Sequence, residues 1–159
     1  MNQNEQQCIG IISDTHGYLN PIVFDIFQNA DLIIHAGDIG NTDVLLSLQA
    51  CAPVKAVYGN MDGFAVRKNL PQIQRFDLLK YHFTLTHIQT KIQVNNADWH
   101  VHIFGHTHKA KVSRDRKSIV INPGSASRPL KDDSATVVLL DIQDEQEPEI
   151  KIVRLVSEK

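Results

Sequence analysis

The sequence predicts an α/β fold in which two mixed sheets pack face to face with helices on the outside. Three observations carry this expectation. Residues 8–13, 31–35 and 54–58 are short apolar runs rich in isoleucine and valine, as in strands buried on both faces. A helical pattern follows each of the first two, and this strand–loop–helix rhythm builds parallel strands. From about residue 70 the rhythm gives way to closely spaced strands, which form a second sheet.

Taken in order, residues 1–6 are polar and read as a disordered tail, with one domain over 1–159. After the first strand, Asn20 before Pro21 is a helix start, a capping side chain ahead of a proline with helical φ. Ile22, Val23, Ile26 and Phe27 then repeat at helical spacing, so 21–29 is an amphipathic helix. Asn41 or Thr42 caps a second helix, with Val44, Leu45 and Leu48 facing inward. Residues 73–77 and 80–86 form a hairpin or two adjacent strands, and 88–98 are polar with a short helix. Residues 99–104 are a strand with Trp99, Val101 and Ile103 on one face. Residues 111–114 and 118–122 flank a turn at 115–117, 122–125 form a loop, and 134–141 pairs with 149–156 in a last hairpin.

Composition excludes several classes. The chain has 159 residues, is 42% hydrophobic and 21% charged, and carries a formal charge of −2. That balance offers no electrostatic basis for binding nucleic acid or an anionic membrane. No apolar run approaches the roughly 20 residues that span a bilayer. The first residues lack the basic and apolar regions of a secretory signal, so a cytoplasmic location is expected. Cys8 and Cys51 form no Cys-x-x-Cys pair and are expected to be small buried side chains. Apolar side chains on the hairpins would support a homo-oligomer.

The chemistry lies where strands end. The run Ile103-Phe104-Gly105-His106-Thr107-His108 closes a strand with two imidazoles, and Gly105 is expected to supply the φ that brings them to one point. Four other apolar runs end in residues of metal-ligand type: Asp14 with His16, then Asp38, Asn60 and His87. In open α/β sheets ligands bind at the carboxyl ends of strands, where all of these lie. Carboxylate, imidazole and amide oxygen suit Mn²⁺, Fe²⁺, Zn²⁺, Ni²⁺ or Co²⁺. Seven such side chains exceed the needs of one ion and match a pair sharing a carboxylate, an arrangement that clamps phosphoryl groups.

Asp14-x-His16, Gly37-Asp38, Gly59-Asn60, His87 and Gly105-His106-Thr107-His108 resemble the five ordered motifs of the calcineurin-like metallophosphoesterase superfamily. The short chain and Asn122-Pro123-Gly124-Ser125 resemble its small prokaryotic phosphodiesterase branch. The resemblance spans residues 8–156 and implies a four-layer α/β/β/α sandwich of the metallo-dependent phosphatase type. It also implies hydrolysis of small phosphate esters by a hydroxide bridging two divalent metals, Mn²⁺ first among them. Asp14, His16, Asp38 and His108 would hold one ion. Asp38, Asn60, His87 and His106 would hold the other, with Asp38 as the bridge. Asp38, Asn60 and His87 would carry the chemistry.

The sequence departs from the family pattern at three places. Ile88 stands where the family usually has glycine, which is expected to shift the loop carrying His87 and so weaken the second metal or reshape the pocket. The connection 88–104 is shorter and less helical than usual. Met61 stands where many relatives place a histidine proposed to protonate the leaving group, so good leaving groups are favoured. Around the motifs, His35 is expected to support them, and His82, His100 and His102 to lie on the surface or a strand face. The basic run Lys109, Lys111, Arg114, Arg116 and Lys117 is read as a solvated hairpin, and 122–125 as a packing turn. The alternative function is an inactive scaffold that uses the same fold for protein contacts, as the eukaryotic retromer subunit resembling this family does. A metallo-β-lactamase-type hydrolase is disfavoured, because Lys109-Ala110 follows His108 in place of that family's continuing motif.

Overall fold

The structure is a computed structural model that describes residues 5–156. Strands β1 (Gln6–Ile12), β2 (Leu32–His35) and β3 (Val54–Ala56) run parallel. The hairpin β9 (Thr136–Gln143) and β10 (Glu149–Arg154) extends them antiparallel, giving the order β10-β9-β1-β2-β3. The second sheet has the order β4-β5-β6-β8-β7, built from Ile73–Leu78, Tyr81–Thr86, Trp99–Ile103, Ala110–Asp115 and Ser118–Pro123 in chain order from β4 to β8. Within it, β5, β6 and β8 are parallel, whereas β4 and β7 are antiparallel edges. Both sheets are mixed, as expected.

Alternation along the strands explains how the layers close. Ile9, Ile11 and Ile34 face Phe83, Leu85, Val101, Ile103 and Ile121 across the gap between the sheets. Ile12, Ile33 and Val137 face the other way, onto helices α1 (Ile22–Ile26) and α2 (Thr42–Gln49). The Asn41 side chain caps α2 by accepting from the Asp43 and Val44 amides. Truncating a wholly buried side chain such as Ile11 costs about 2–5 kcal/mol through lost transfer energy and the cavity left behind.

Several sequence expectations are corrected. Gln6 already belongs to β1, so the tail placed over 1–6 is shorter; residues 1–4 lie outside the described ones. The first helix stops at Ile26, with turns to Gln28 and Asn29. A four-residue helix α3 (Phe64–Arg67) has no counterpart in the sequence pattern, because only Val66 on it is buried and one turn shows no period. Residues 88–98 contain no helix and cross the outer face of the second sheet as coil. The strand before Gly124 includes Asn122 and Pro123. Cys8 and Cys51 are half-buried free thiols, not wholly buried ones. No helix among the described residues is long and apolar enough to cross a membrane.

Candidate metal centre

All seven motif side chains gather at the carboxyl ends of β1, β2, β3, β5 and β6. The chain pays for that convergence in backbone strain. Asp14, His16, Asp38, His106 and His108 all have φ between 47° and 69°, the left-handed region that side chains other than glycine disfavour. Five such residues meeting at one point are over-determined by the hydrogen bonds around them. The Asp14 and His16 amides donate to the carbonyls of Gly37 and Asp38, lacing the first loop to the second. Ser125 and Ser127 hydroxyls both donate to the Asp14 carbonyl.

The donor atoms form two overlapping groups, Asp14/His16/His108 and Asp14/Asp38/His87, each able to offer its atoms to one ion. Asp14 Oδ1 lies 3.2 Å from His108 Nε2, 3.9 Å from His16 Nε2 and 4.0 Å from His87 Nε2. His87 Nε2 is 3.2 Å from Asp38 Oδ2. Asn60 Oδ1 sits 2.9 Å from His87 Nε2 and 3.0 Å from His106 Nδ1, which joins the remaining two side chains to the cluster.

Asp14 Oδ1 is buried without a hydrogen-bond partner. Its other oxygen accepts from the Ser13 hydroxyl and the His106 amide. His108 Nδ1 lies 2.6 Å from the Arg128 carbonyl, and His87 Nδ1 lies 2.7 Å from that of Ala36. A carbonyl only accepts, so both Nδ1 atoms carry the proton and both Nε2 lone pairs point inward. Carboxylate oxygen and imidazole lone pairs so close repel one another unless a cation stands among them. This donor set therefore fits a divalent metal.

The proton affinities follow from the same surroundings. Burial pushes the Asp14 carboxyl above its usual range, against the opposing pull of Ser13, His87 and His108. At Asp38, burial raises, whereas the His87 imidazole in its protonated form and the bond from the Met61 amide lower, and the carboxyl ends below its usual range. Burial also pulls His87 down, but Asp38, which would accept from Nε2 once the ring is protonated, and the Ala36 carbonyl outweigh that and leave it raised. Burial lowers His16, against the attraction of Asp38.

Gly105 serves a different purpose from the one expected. Its φ is not in the left-handed region; the bend is carried by His106 and His108 themselves. A Cβ at Gly105 would lie 2.0 Å from Ser13 Oγ and 2.6 Å from Asp14 Oδ2, so glycine permits the close approach of β6 to β1. Ile88 does not carry His87 out of reach; its side chain is 50% exposed and walls a neighbouring cavity. His35 is wholly buried, accepts from the Gly37 amide and donates to Thr15 Oγ1, which in turn donates to the Ile39 carbonyl. It thereby clamps the residue between Asp14 and His16, the supporting place expected of it. Nothing in the sequence marks Ser13, Thr15 or Ser127 as part of the site, because short hydroxyl residues beside a motif carry no periodic signal. Asn122, at the end of β8, donates to the Gly105 carbonyl and the Thr107 hydroxyl, so the segment packs beneath the histidines, but of 122–125 only Gly124 and Ser125 lie outside the strand.

Fold and cluster together define an α/β sandwich of the metallophosphatase type, with Asp/His metal-ligand groups at its strand ends. The chain belongs to the calcineurin-like phosphoesterase superfamily, whose domain pattern matches residues 8–145, and to its small archaeal and bacterial phosphodiesterase branch. A protein of Methanothermobacter thermautotrophicus described as a probable metallophosphoesterase is 32% identical over 145 residues, 82% of this chain and 84% of that one. A phosphodiesterase of Methanocaldococcus jannaschii is 32% identical over 136 residues, 73% of this chain and 82% of its own. The solved structure of an archaeal phosphodiesterase superposes with a TM-score of 0.74 at 25% identity, over 92% of this chain and 99% of that one. Vacuolar protein sorting 29 of Cryptosporidium parvum reaches 0.72 at 14% identity, over 96% and 99%, a likeness of fold alone.

Proposed function

We propose that the chain is a metal-dependent phosphoesterase, a phosphodiesterase or phosphatase, that acts on small phosphate esters with two divalent cations at this cluster. The observation that carries the reading is the buried, unpartnered Asp14 Oδ1 facing three imidazole nitrogens. Relatives described as phosphodiesterases support it. In this reading Asp14, His16, Asp38 and His108 hold one ion, and Asp38, Asn60, His87 and His106 the other. Mn²⁺ is the first choice, and Ni²⁺, Fe²⁺, Zn²⁺ and Co²⁺ suit the same donors. When bound, such a pair supplies Lewis acidity toward a phosphoryl oxygen and lowers the pKa of nearby water.

The protein's own groups do the rest. The carbonyls of Ala36 and Arg128 hold His87 and His108 in the tautomer that presents Nε2. The Met61 amide anchors Asp38 Oδ1 at 2.8 Å and keeps the carboxylate ionised and oriented. Asn60 and His87 border the open cavity and orient the ester there. The Met61 side chain has no proton to give a leaving group, so water must supply it, and esters of acidic alcohols are the better substrates.

Hydrolysis of bis(p-nitrophenyl) phosphate with added Mn²⁺ or Ni²⁺ tests this reading. Asp38→Ala is expected to abolish turnover; a fully active D38A protein overturns the assignment. Purified protein that binds no metal and shows no Mn²⁺-dependent thermal shift would favour the scaffold alternative.

A further inference from the structure

A cavity of about 240 Å³ opens beside Asn60 and His87 and runs away from the cluster, between the α3 loop and the start of the coil after β5. Ile73 and Ile88 form apolar walls and are 40% and 50% exposed, large side chains left wet at the mouth of a polar site. Among its lining residues Arg67 alone carries a permanent charge, and no carboxylate lines the cavity. The Arg67 guanidinium lies 5.0 Å from the ring centre of Tyr58. It donates to the carbonyls of Asp62 and Asn60 at 2.6 and 3.0 Å. Those carbonyls fix its plane without neutralising it, and Arg67 enters no ion pair among the described residues.

A phosphate group alone would occupy the cluster and leave Ile73 and Ile88 in water. An apolar group attached to the phosphorus would cover them, and an aromatic one would lie beside the fixed guanidinium as Tyr58 does. The absence of a lining carboxylate suits an electron-rich occupant. We propose that this cavity receives an aromatic substituent of a phosphodiester, with Ile73, Ile88 and Arg67 as the residues that select it. The proposal rests on the phosphoesterase reading and narrows it, to diesters that carry an aryl or heteroaryl group. Ile88, the departure from the family glycine, is then a specificity wall.

Diphenyl and dimethyl phosphate are both monoanions and differ in the substituent alone, so titration calorimetry of the full-length chain with each, with Mn²⁺ present, isolates the cavity. Diphenyl phosphate is expected to bind about tenfold more tightly, roughly the effect of removing one ring face from water. Ile88→Asp and Ile73→Asp are each expected to remove most of that preference, with melting curves showing that the variants fold; both positions are well exposed. Equal affinity for the two esters, or a preference intact in both variants, overturns the proposal. Turnover of bis(p-nitrophenyl) phosphate without any aromatic preference sinks the cavity assignment and spares the phosphoesterase. An aromatic preference without turnover under any metal supports the cavity and sinks the phosphoesterase.

Discussion

His108 Nε2 stands 3.2 Å from Asp14 Oδ1, and neither atom has a proton to offer the other. The fold spends stability to hold them so, and a cation repays it. Saturating Mn²⁺ is expected to raise the melting midpoint by several degrees, since a ligand at one hundred times its Kd contributes about 2.7 kcal/mol. Asp14→Asn keeps one oxygen for Ser13 and His106 and turns an amide toward the histidines. The D14N protein should lose the Mn²⁺ response while its stability with EDTA stays within about 1 kcal/mol of the parent or rises. Differential scanning fluorimetry reads both.

Which carboxylate is shared between two ions is decided by stoichiometry. Asp14 is common to both donor groups in the structure, whereas Asp38 is the proposed bridge. Loss of the bridging residue is expected to lower the metal content from two equivalents to one or none, and loss of a terminal ligand to weaken one site. Elemental analysis of the D14A and D38A proteins after dialysis separates the two assignments.

Gly105→Ala places a methyl group against Ser13 Oγ and Asp14 Oδ2. Contacts of 2.0 and 2.6 Å force these buried side chains or the strand to shift, so a destabilisation of about 1–3 kcal/mol is expected. Because one of the two displaced atoms belongs to Asp14 and the other donates to it, Mn²⁺ affinity should fall as well. A denaturant melt and a metal titration on the same variant test both.

Met61 is 67% exposed, so replacing it disturbs no packing. Met61→His supplies an acid near the leaving group and is expected to raise turnover of esters with poor leaving groups at pH 6–7, with little change for p-nitrophenyl esters. The slope of log kcat against leaving-group pKa should flatten. An unchanged slope would show that position 61 lies out of reach.

Burial lowers His102 from 6.5 to about 4. The folded protein therefore resists a proton that the unfolded chain accepts, and between those pH values the unfolded state binds more protons. Stability is expected to rise with pH from about 4 to 6.5 and to be lost as pH falls through that window, with a slope of at most about 1.4 kcal/mol per pH unit from this group. His102→Gln retains a donor for Thr86, which His102 meets at 3.0 Å, and should flatten that part of the profile. Urea melts at four pH values measure it. His35, lowered to about 3 by burial and the nearby His87, adds a second contribution of the same sign.

Much of the fold is written in local pattern. The runs at residues 9–12 and 32–34 carry no polar side chain, as in a doubly covered strand, and the motif residues stand shortly after them. That period and polarity are properties of neighbours in the chain, so composition and spacing were enough to place β1, β2, the α2 cap and the hairpins. Other features depend on groups distant in sequence. The role of Gly105 comes from Ser13 and Asp14, some ninety positions earlier, and no neighbour of Gly105 hints at it. The positive φ of Asp14, His16, Asp38, His106 and His108 is imposed by bonds between loops, against the preference of each residue. His102 alternates outward from the core and reads as a face residue, yet the coil after β5 covers it. The cavity walled by Ile73 and Ile88 exists because two separate segments meet across Asn60. Strand identity is a one-dimensional property; steric approach, strain and enclosure are made by contacts between distant segments and arise when the chain has folded.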